Sequence, residues 1–259
     1  MASEHKPKTP SWPPRSAPRL FVDQELSDVA NVVIDGNQAH YLSRVMRVGT
    51  GDAVILCDNA TGEWATRVEE VSRRSVNLQV VERLRPREDV PDFWLCAALL
   101  KKDRFDLVLE KATELGVARI QPVIMRRCVA DKLNLDRART IMIEAAEQCG
   151  RTALPEIAEP VKLDALLKVW TQDRALYFAD EEGGESANQA FAKQSAPAAL
   201  LIGPEGGFDD DERKSVLEAP QSEPISLGPR ILRGETAAIA ATALWMGTTG
   251  DWDSGTKGN

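Results

Sequence analysis

Histidine is almost absent. Two occur in 259 residues, His5 and His40, so a histidine-based catalytic triad or a histidine-rich zinc site has almost nothing to be built from. Any proton transfer must use other groups. The four cysteines, Cys57, Cys96, Cys128 and Cys149, form no C-x-x-C pair, which argues against a disulfide framework or a zinc site and leaves buried free thiols. No apolar run approaches the roughly eighteen residues of a membrane span, and the N-terminal stretch has no apolar h-region of a signal peptide. A soluble, cytoplasmic chain is expected. There is no G-x-x-x-x-G-K-[ST] to cradle a triphosphate. There is also no G-x-G-x-x-G after an early strand, against a Rossmann dinucleotide site or a Rossmann methyltransferase.

Two Gly-Pro turns stand out among what is present. Leu201-Ile202-Gly203-Pro204-Glu205-Gly206-Gly207-Phe208 and Leu227-Gly228-Pro229-Arg230-Ile231-Leu232-Arg233-Gly234-Glu235-Thr236 each follow a short apolar run that reads as a buried strand. Ligands of open α/β sheets bind beyond the carboxyl ends of the strands, so two such turns suggest one shared pocket. Glycine lets backbone approach a ligand, and Leu227, Ile231 and Leu232 offer apolar surface to a flat ring, which suits a nucleoside-like ligand. Either turn alone is also an ordinary connection.

Together, the two turns closely resemble those of the RsmE family, the 16S rRNA (uracil(1498)-N3)-methyltransferases of the SPOUT class. The resemblance extends through Arg19-Leu20-Phe21, His40-Tyr41-Leu42, Lys101-Lys102-Asp103-Arg104 and Glu144-Ala145-Ala146-Glu147-Gln148-Cys149-Gly150-Arg151. It implies an α/β fold: a SPOUT-type parallel sheet whose C-terminal chain threads a trefoil knot, preceded by a small PUA-like β-barrel that binds RNA. It also implies S-adenosylmethionine (SAM) as cofactor, no metal, the small ribosomal subunit as substrate and a homodimer. The cofactor would lie against Leu201, Ile202, Gly203, Pro204, Gly207, Leu227, Gly228, Ile231, Leu232 and Thr236. Arg233 is the first candidate to stabilise an anionic uracil ring and Arg151 the second, with Glu205 a candidate proton acceptor. RNA contacts are expected from Arg19, Arg44, Arg47, Lys101, Arg104 and Gln148. Gly234 departs from the family pattern, which places Thr before Glu235-Thr236-Ala237. Two other readings share these features: a SPOUT enzyme acting on a different rRNA or tRNA base, and a non-catalytic RNA-binding assembly factor that needs no SAM.

Along the chain, proline-rich residues 1–18 read as a disordered tail. Residues 19–87 carry short β-rich runs separated by Asp35-Gly36, Gly49-Thr50-Gly51 and Asn59-Ala60-Thr61-Gly62, the pattern of a small barrel. A helix over Gln38–Val48 interrupts it, placing Arg44 and Arg47 at i,i+3 on one face, where they could grip phosphates or be merely solvated. Beyond Arg85-Pro86-Arg87-Glu88-Asp89-Val90-Pro91, strands alternate with helices through residues 91–250, which predicts a largely parallel sheet. Asp209-Asp210-Asp211-Glu212 looks like a metal cluster, but Asp209 with Glu212 three residues on reads better as a helix cap. The last helix, from Glu235 to about Met246, is apolar on nearly every face and must be buried against the core or a second subunit.

Net charge is −8, unfavourable for an RNA partner, yet it is unevenly spread. Residues 101–151 hold eleven Lys/Arg against eight Asp/Glu, and 67–87 hold six against three, whereas 152–259 hold nine against eighteen. Basic patches are therefore available in the first two-thirds of the chain.

Overall fold

Alternation of apolar and polar residues builds the first sheet. The computed structural model describes residues 12–28, 31–193 and 196–252, and the chain divides into two units, Met1–Glu88 and Asp89–Asn259. The first contains β1 (Arg19–Phe21), β2 (Asn31–Asp35), α1 (Gly36–His40), β3 (Ala53–Cys57), β4 (Gly62–Val71) and β5 (Ser75–Pro86). The strands run in the order β1-β3-β4-β5-β2, with β1 parallel to β3 and the other neighbours antiparallel. Val32 and Ile34 point into a core with Leu20, Leu42, Leu56, Trp64 and Leu78, while Val33 between them points out. Register shifts at Glu63/Trp64, Ala65/Thr66 and Val68/Glu70 mark bulges that bend the long β4–β5 hairpin. Of the tail expected over residues 1–18, residues 1–11 lie outside the described residues. Trp12 lies under the guanidinium of Arg67, 4.9 Å from the ring centroid.

The helix expected over Gln38–Val48 is shorter than its periodicity suggests. After α1 the chain widens into a π-helical turn, Tyr41–Val45. Met46 N–H then bonds back to Tyr41 O and Val48 N–H to Leu42 O, and Arg47 takes a left-handed conformation at φ 55°. Arg44 and Arg47 therefore do not share a helix face, because the helix has ended before Arg47.

The second unit contains β6 (Phe93–Ala98), α2 (Lys102–Glu114), β7 (Arg119–Ile124), α3 (Leu135–Cys149), β8 (Glu156–Ile157), β9 (Val161–Lys162), α4 (Leu163–Lys168), β10 (Ala175–Ala179), β11 (Glu185–Ser186), α5 (Ala187–Phe191), β12 (Ala198–Ile202), α6 (Asp210–Leu217), β13 (Ser222–Ser226) and α7 (Gly234–Thr248). Every strand pair is parallel, in the order β11-β13-β10-β12-β6-β7-β8, with β9 also on β7. Both faces are covered, and the strand residues divide between two cores with a period of two. Phe93, Leu95 and Ala97 of β6, Tyr177 of β10, and Leu200 and Ile202 of β12 pack with residues of α2, α3, α5 and α7. Cys96, Ala98, Phe178 and Leu201 face the opposite way, towards Leu163 and Leu166 of α4 and Val216 of α6.

α7 is only half enclosed. Ala237, Ala238, Ala241, Trp245 and Met246 are buried, and the Trp245 ring stacks on Phe93 at 4.1 Å between centroids. Thr236, Leu244 and Gly247 on its other side are exposed. The two-residue strands and α5 are too short to produce a readable periodicity. Among the described residues, no helix is long and apolar enough to cross a membrane.

Candidate ligand-binding site

Parallel strands all end on the same side, and here four of those ends enclose one cleft. The turns after β10, β12 and β13 and the entry to α2 after β6 surround a space of about 780 Å³. That falls in the range of small-molecule pockets, about 300–1,000 Å³. Both Gly-Pro turns contribute. Ile202, Gly203, Pro204, Glu205 and Gly207 line one wall, and Leu227, Gly228, Ile231, Leu232 and Arg233 line another. Lys101, Arg104 and Glu235 stand at the starts of α2 and α7.

The glycines explain how backbone comes so near the cleft. Gly228 has φ 106°, and a Cβ built there would meet nothing within 4 Å, so its peptide faces open space. A side chain would occupy that space and strain the backbone. At Gly207, φ is 71°, and an added Cβ would collide with the carboxylate of Glu181. Ile231 is 85% exposed beside the partly buried Leu227 and Leu232, an apolar edge suited to covering a flat ring.

Side chains behind the lining hold the turns in place. Arg213 of α6 donates through Nε and Nη2 to Asp180, which follows β10, with Nη2 2.8 Å from Oδ2 and Nε 3.0 Å from the same oxygen. These hydrogen bonds raise the Arg213 pKa above its ordinary value, so the guanidinium stays charged. Arg127 donates to the carbonyl of Gly206 at 2.9 Å. Asp209 and Glu212 form the expected capping box of α6, and Arg126 pairs with Asp209 and Asp211 while its N–H donates to Glu212. The acidic run is thus used for capping and ion pairing. Arg104 pairs with the buried Glu235 at 2.9 Å.

Several residues expected at the site lie elsewhere. Leu201 is fully buried in the core below the cleft, because its side chain points to the α4/α6 face while that of Ile202 points to the other. Thr236 does not line the cleft; it is exposed on the outer side of α7. Arg151 is 5% exposed, and its guanidinium donates to the carbonyls of Thr113 and Val117, both at 2.7 Å. It thereby braces the α2–β7 turn at Gly116, whose φ of 96° interrupts the helix, and it does not reach the cleft of its own chain. Arg19 pairs with Glu63 in the first unit, and Gln148 is exposed at the end of α3. Asp180, Glu181, Ser226 and Phe208 line the cleft unanticipated. The strand-end rule could have found Asp180 and Glu181, since they follow directly on the apolar run Ala175–Ala179.

The cleft residues fit SAM. Backbone at Gly203 and Gly228 can approach a ligand closely, the apolar edge matches adenine, and Glu181 and Glu205 complement a positively charged ligand.

Known proteins share this arrangement. A model of the RNA methyltransferase domain matches residues 87–246, and one of the RNA methyltransferase PUA domain matches residues 34–81. The chain is 32% identical over 232 residues to ribosomal RNA small subunit methyltransferase E of Synechocystis sp., covering 87% of this chain and 76% of that one. It is 28% identical over 228 residues to the protein of the same name from Rickettsia conorii, covering 87% and 93%. Among solved structures, ribosomal RNA small subunit methyltransferase E from Neisseria gonorrhoeae bound to SAM superposes with a TM-score of 0.83 at 27% identity, covering 91% of this chain and 99% of that one. A putative methyltransferase from Legionella pneumophila in complex with SAM gives 0.82 at 30% identity with the same coverages.

Proposed function

The chain belongs to the RNA methyltransferase family that includes ribosomal RNA small subunit methyltransferase E, and we propose that it methylates N3 of a uridine in 16S rRNA, using SAM. By family resemblance the nucleotide is position 1498. The observation that carries this reading is the single cleft built by both Gly-Pro turns at the strand ends, with a cationic side chain beside apolar walls.

SAM supplies a methyl group on a sulfonium, already a good leaving group, so the protein's tasks are to position the uracil and manage the N3 proton. Leu227, Ile231 and Leu232 would hold the adenine, and the backbone at Gly203 and Gly228 would hold the rest of the cofactor. Arg233 follows directly on these residues at the start of α7 and stabilises the developing uracil anion. Glu205, exposed at the rim, accepts the proton. Lys101 and Arg104, at the start of α2, meet the RNA backbone.

The same reading assigns RNA binding to the barrel at residues 19–87 and catalysis to residues 91–250. It places the protein in the cytoplasm, acting on the small ribosomal subunit. It includes the trefoil knot, which the family resemblance implies. It includes a homodimer, supported by the outer side of α7, where the small residues Thr236, Ala240, Ala243 and Gly247 surround the exposed, apolar Leu244 away from the core.

The deciding experiment is transfer from labelled SAM to small ribosomal subunits from cells lacking this protein, followed by nucleoside analysis. 3-Methyluridine in the RNA is the expected product. Absence of transfer, with SAM binding demonstrated separately, would redirect the assignment to another RNA.

A further inference from the structure

We infer that the depression between α1 and the β4–β5 turn is a binding notch for RNA backbone phosphate, centred on Arg44, Arg73 and Arg74. The inference rests on the rRNA-methyltransferase reading and assigns it a specific contact surface. The space, about 560 Å³, is lined by these three arginines with His40, Ser43 and Asp35 among others. Residues far apart in sequence meet there through strand register. Asp35, at the end of β2, pairs with Ser75, the first residue of β5, which sets the turn Ser72-Arg73-Arg74 beside the start of α1.

The turn is built to display its arginines. Ser72 Oγ accepts hydrogen bonds from the backbone N–H groups of Arg74 at 3.2 Å and Ser75 at 3.0 Å, and Ser72 N–H donates to Ser75 O at 2.9 Å. The backbone is thereby fixed while both guanidinium groups stay exposed.

Five other arginines of this unit are engaged within it, and Arg15 and Arg47 do not line the depression. Arg19 and Arg85 pair with Glu63, Arg83 donates to Thr61 O, and Arg87 donates to Glu88 O. Arg67 lies over Trp12 and donates to Gly51 O at 3.5 Å. Among the described residues, the side chains of Arg44, Arg73 and Arg74 have no hydrogen-bond or ion-pair partner, although they converge on one depression. Asp35 supplies one opposing carboxylate against three guanidinium groups. Like charges gathered without internal partners are stabilised by an external anion, and the planar guanidinium fork matches phosphate oxygens. A polyanionic strand provides several at once.

The test uses the full chain carrying Arg73→Ala with Arg74→Ala, and separately Arg44→Ala. Binding of small-subunit rRNA is measured across a salt series, alongside SAM affinity and melting temperature. The double variant should lose roughly tenfold or more in RNA affinity, and its log–log salt slope should flatten by about 0.7–0.9 for each phosphate contact removed. KM for the subunit should rise with kcat, SAM affinity and melting temperature unchanged, and Arg73→Lys with Arg74→Lys should recover most of the binding. Unchanged RNA affinity and salt slope in the double variant would overturn the notch while leaving wild-type methylation intact. Failure of the wild-type protein to bind or methylate small-subunit RNA would instead overturn the functional reading on which the notch rests.

Discussion

Glu235 and Arg104 join the first turns of two helices: Arg104 Nη1 of α2 lies 2.9 Å from Glu235 Oε1 of α7. The Glu235 side chain is 5% exposed and that of Arg104 46%, so the pair sits at the wall of the cleft with its acid inside and its base reaching out. A carboxylate in the first turn of α7 also meets the positive end of the helix dipole. Glu235→Gln should therefore lower stability by about 1 kcal/mol, the half-exposed arginine keeping the figure small. Thermal melts of the variant and wild type check this, and identical midpoints would show that the pair holds nothing together.

The role proposed for Arg233 is in the reaction more than in cofactor binding. Arg233→Ala should reduce kcat by about 10²–10³, the usual effect of removing one stabiliser of developing negative charge, while SAM affinity stays within a few-fold. Single-turnover kinetics with calorimetric SAM binding separate the two effects. Normal turnover in the variant would remove Arg233 from the chemistry.

The packing around Gly234 favours glycine where the family resemblance implies threonine. A Cβ at this position would stand 3.0 Å from Leu100 Cδ2, 3.3 Å from its Cδ1 and 3.4 Å from Gly203 O. Gly234→Thr should thus destabilise the protein by about 1–3 kcal/mol through overpacking. Leu100→Ala removes the colliding methyls, so the double variant should be less destabilised than the sum of the two single changes. Denaturant unfolding of the four-member cycle measures that coupling, and strict additivity would place the strain somewhere other than Leu100.

Asp58 should make the first unit acid-sensitive. Burial pushes its carboxyl pKa up, but hydrogen bonds from Thr61, Leu26 and Ala60 outweigh that and hold it below the usual value. Because the folded-state pKa is depressed, the unfolded chain binds the proton more readily. The stabilisation is full above the unfolded value of about 3.9 and is lost as pH falls through the folded one. Asp58→Asn should lose on the order of 1–3 kcal/mol at neutral pH and flatten this acid limb. Unfolding measured from pH 7 down to about 3 tests both, and a variant with the wild-type pH profile would mean that another carboxylate governs the limb.

The sheet was legible because its strands are continuous apolar runs, and the cleft because two glycine-proline turns end such runs. Side-chain direction was not legible at residue level. Leu201 and Ile202 are neighbours in one motif, yet the pleat sends them to opposite faces and only Ile202 lines the cleft. Arg151 follows a helix end that resembles a functional motif, and only the fold shows its guanidinium bonded to the carbonyls of Thr113 and Val117. Helical spacing pairs Arg44 with Arg47, but the π-helical turn that contains Arg44 ends at Val45 and Arg47 takes a left-handed conformation, and strand pairing gives Arg44 the neighbours Arg73 and Arg74 instead. Pairing between distant segments leaves no periodic trace in the chain.

The strand order also constrains the time course of folding. Phe93 of β6 sits in register with Ala198 of β12, while β10, also paired with β12, waits for β13 on its other side. The middle of the second sheet therefore cannot close until most of that unit has left the ribosome. The first unit, whose β3, β4 and β5 are successive antiparallel neighbours, can settle during synthesis. A newborn molecule can thus complete its first unit, with Arg44, Arg73 and Arg74, before the cleft exists.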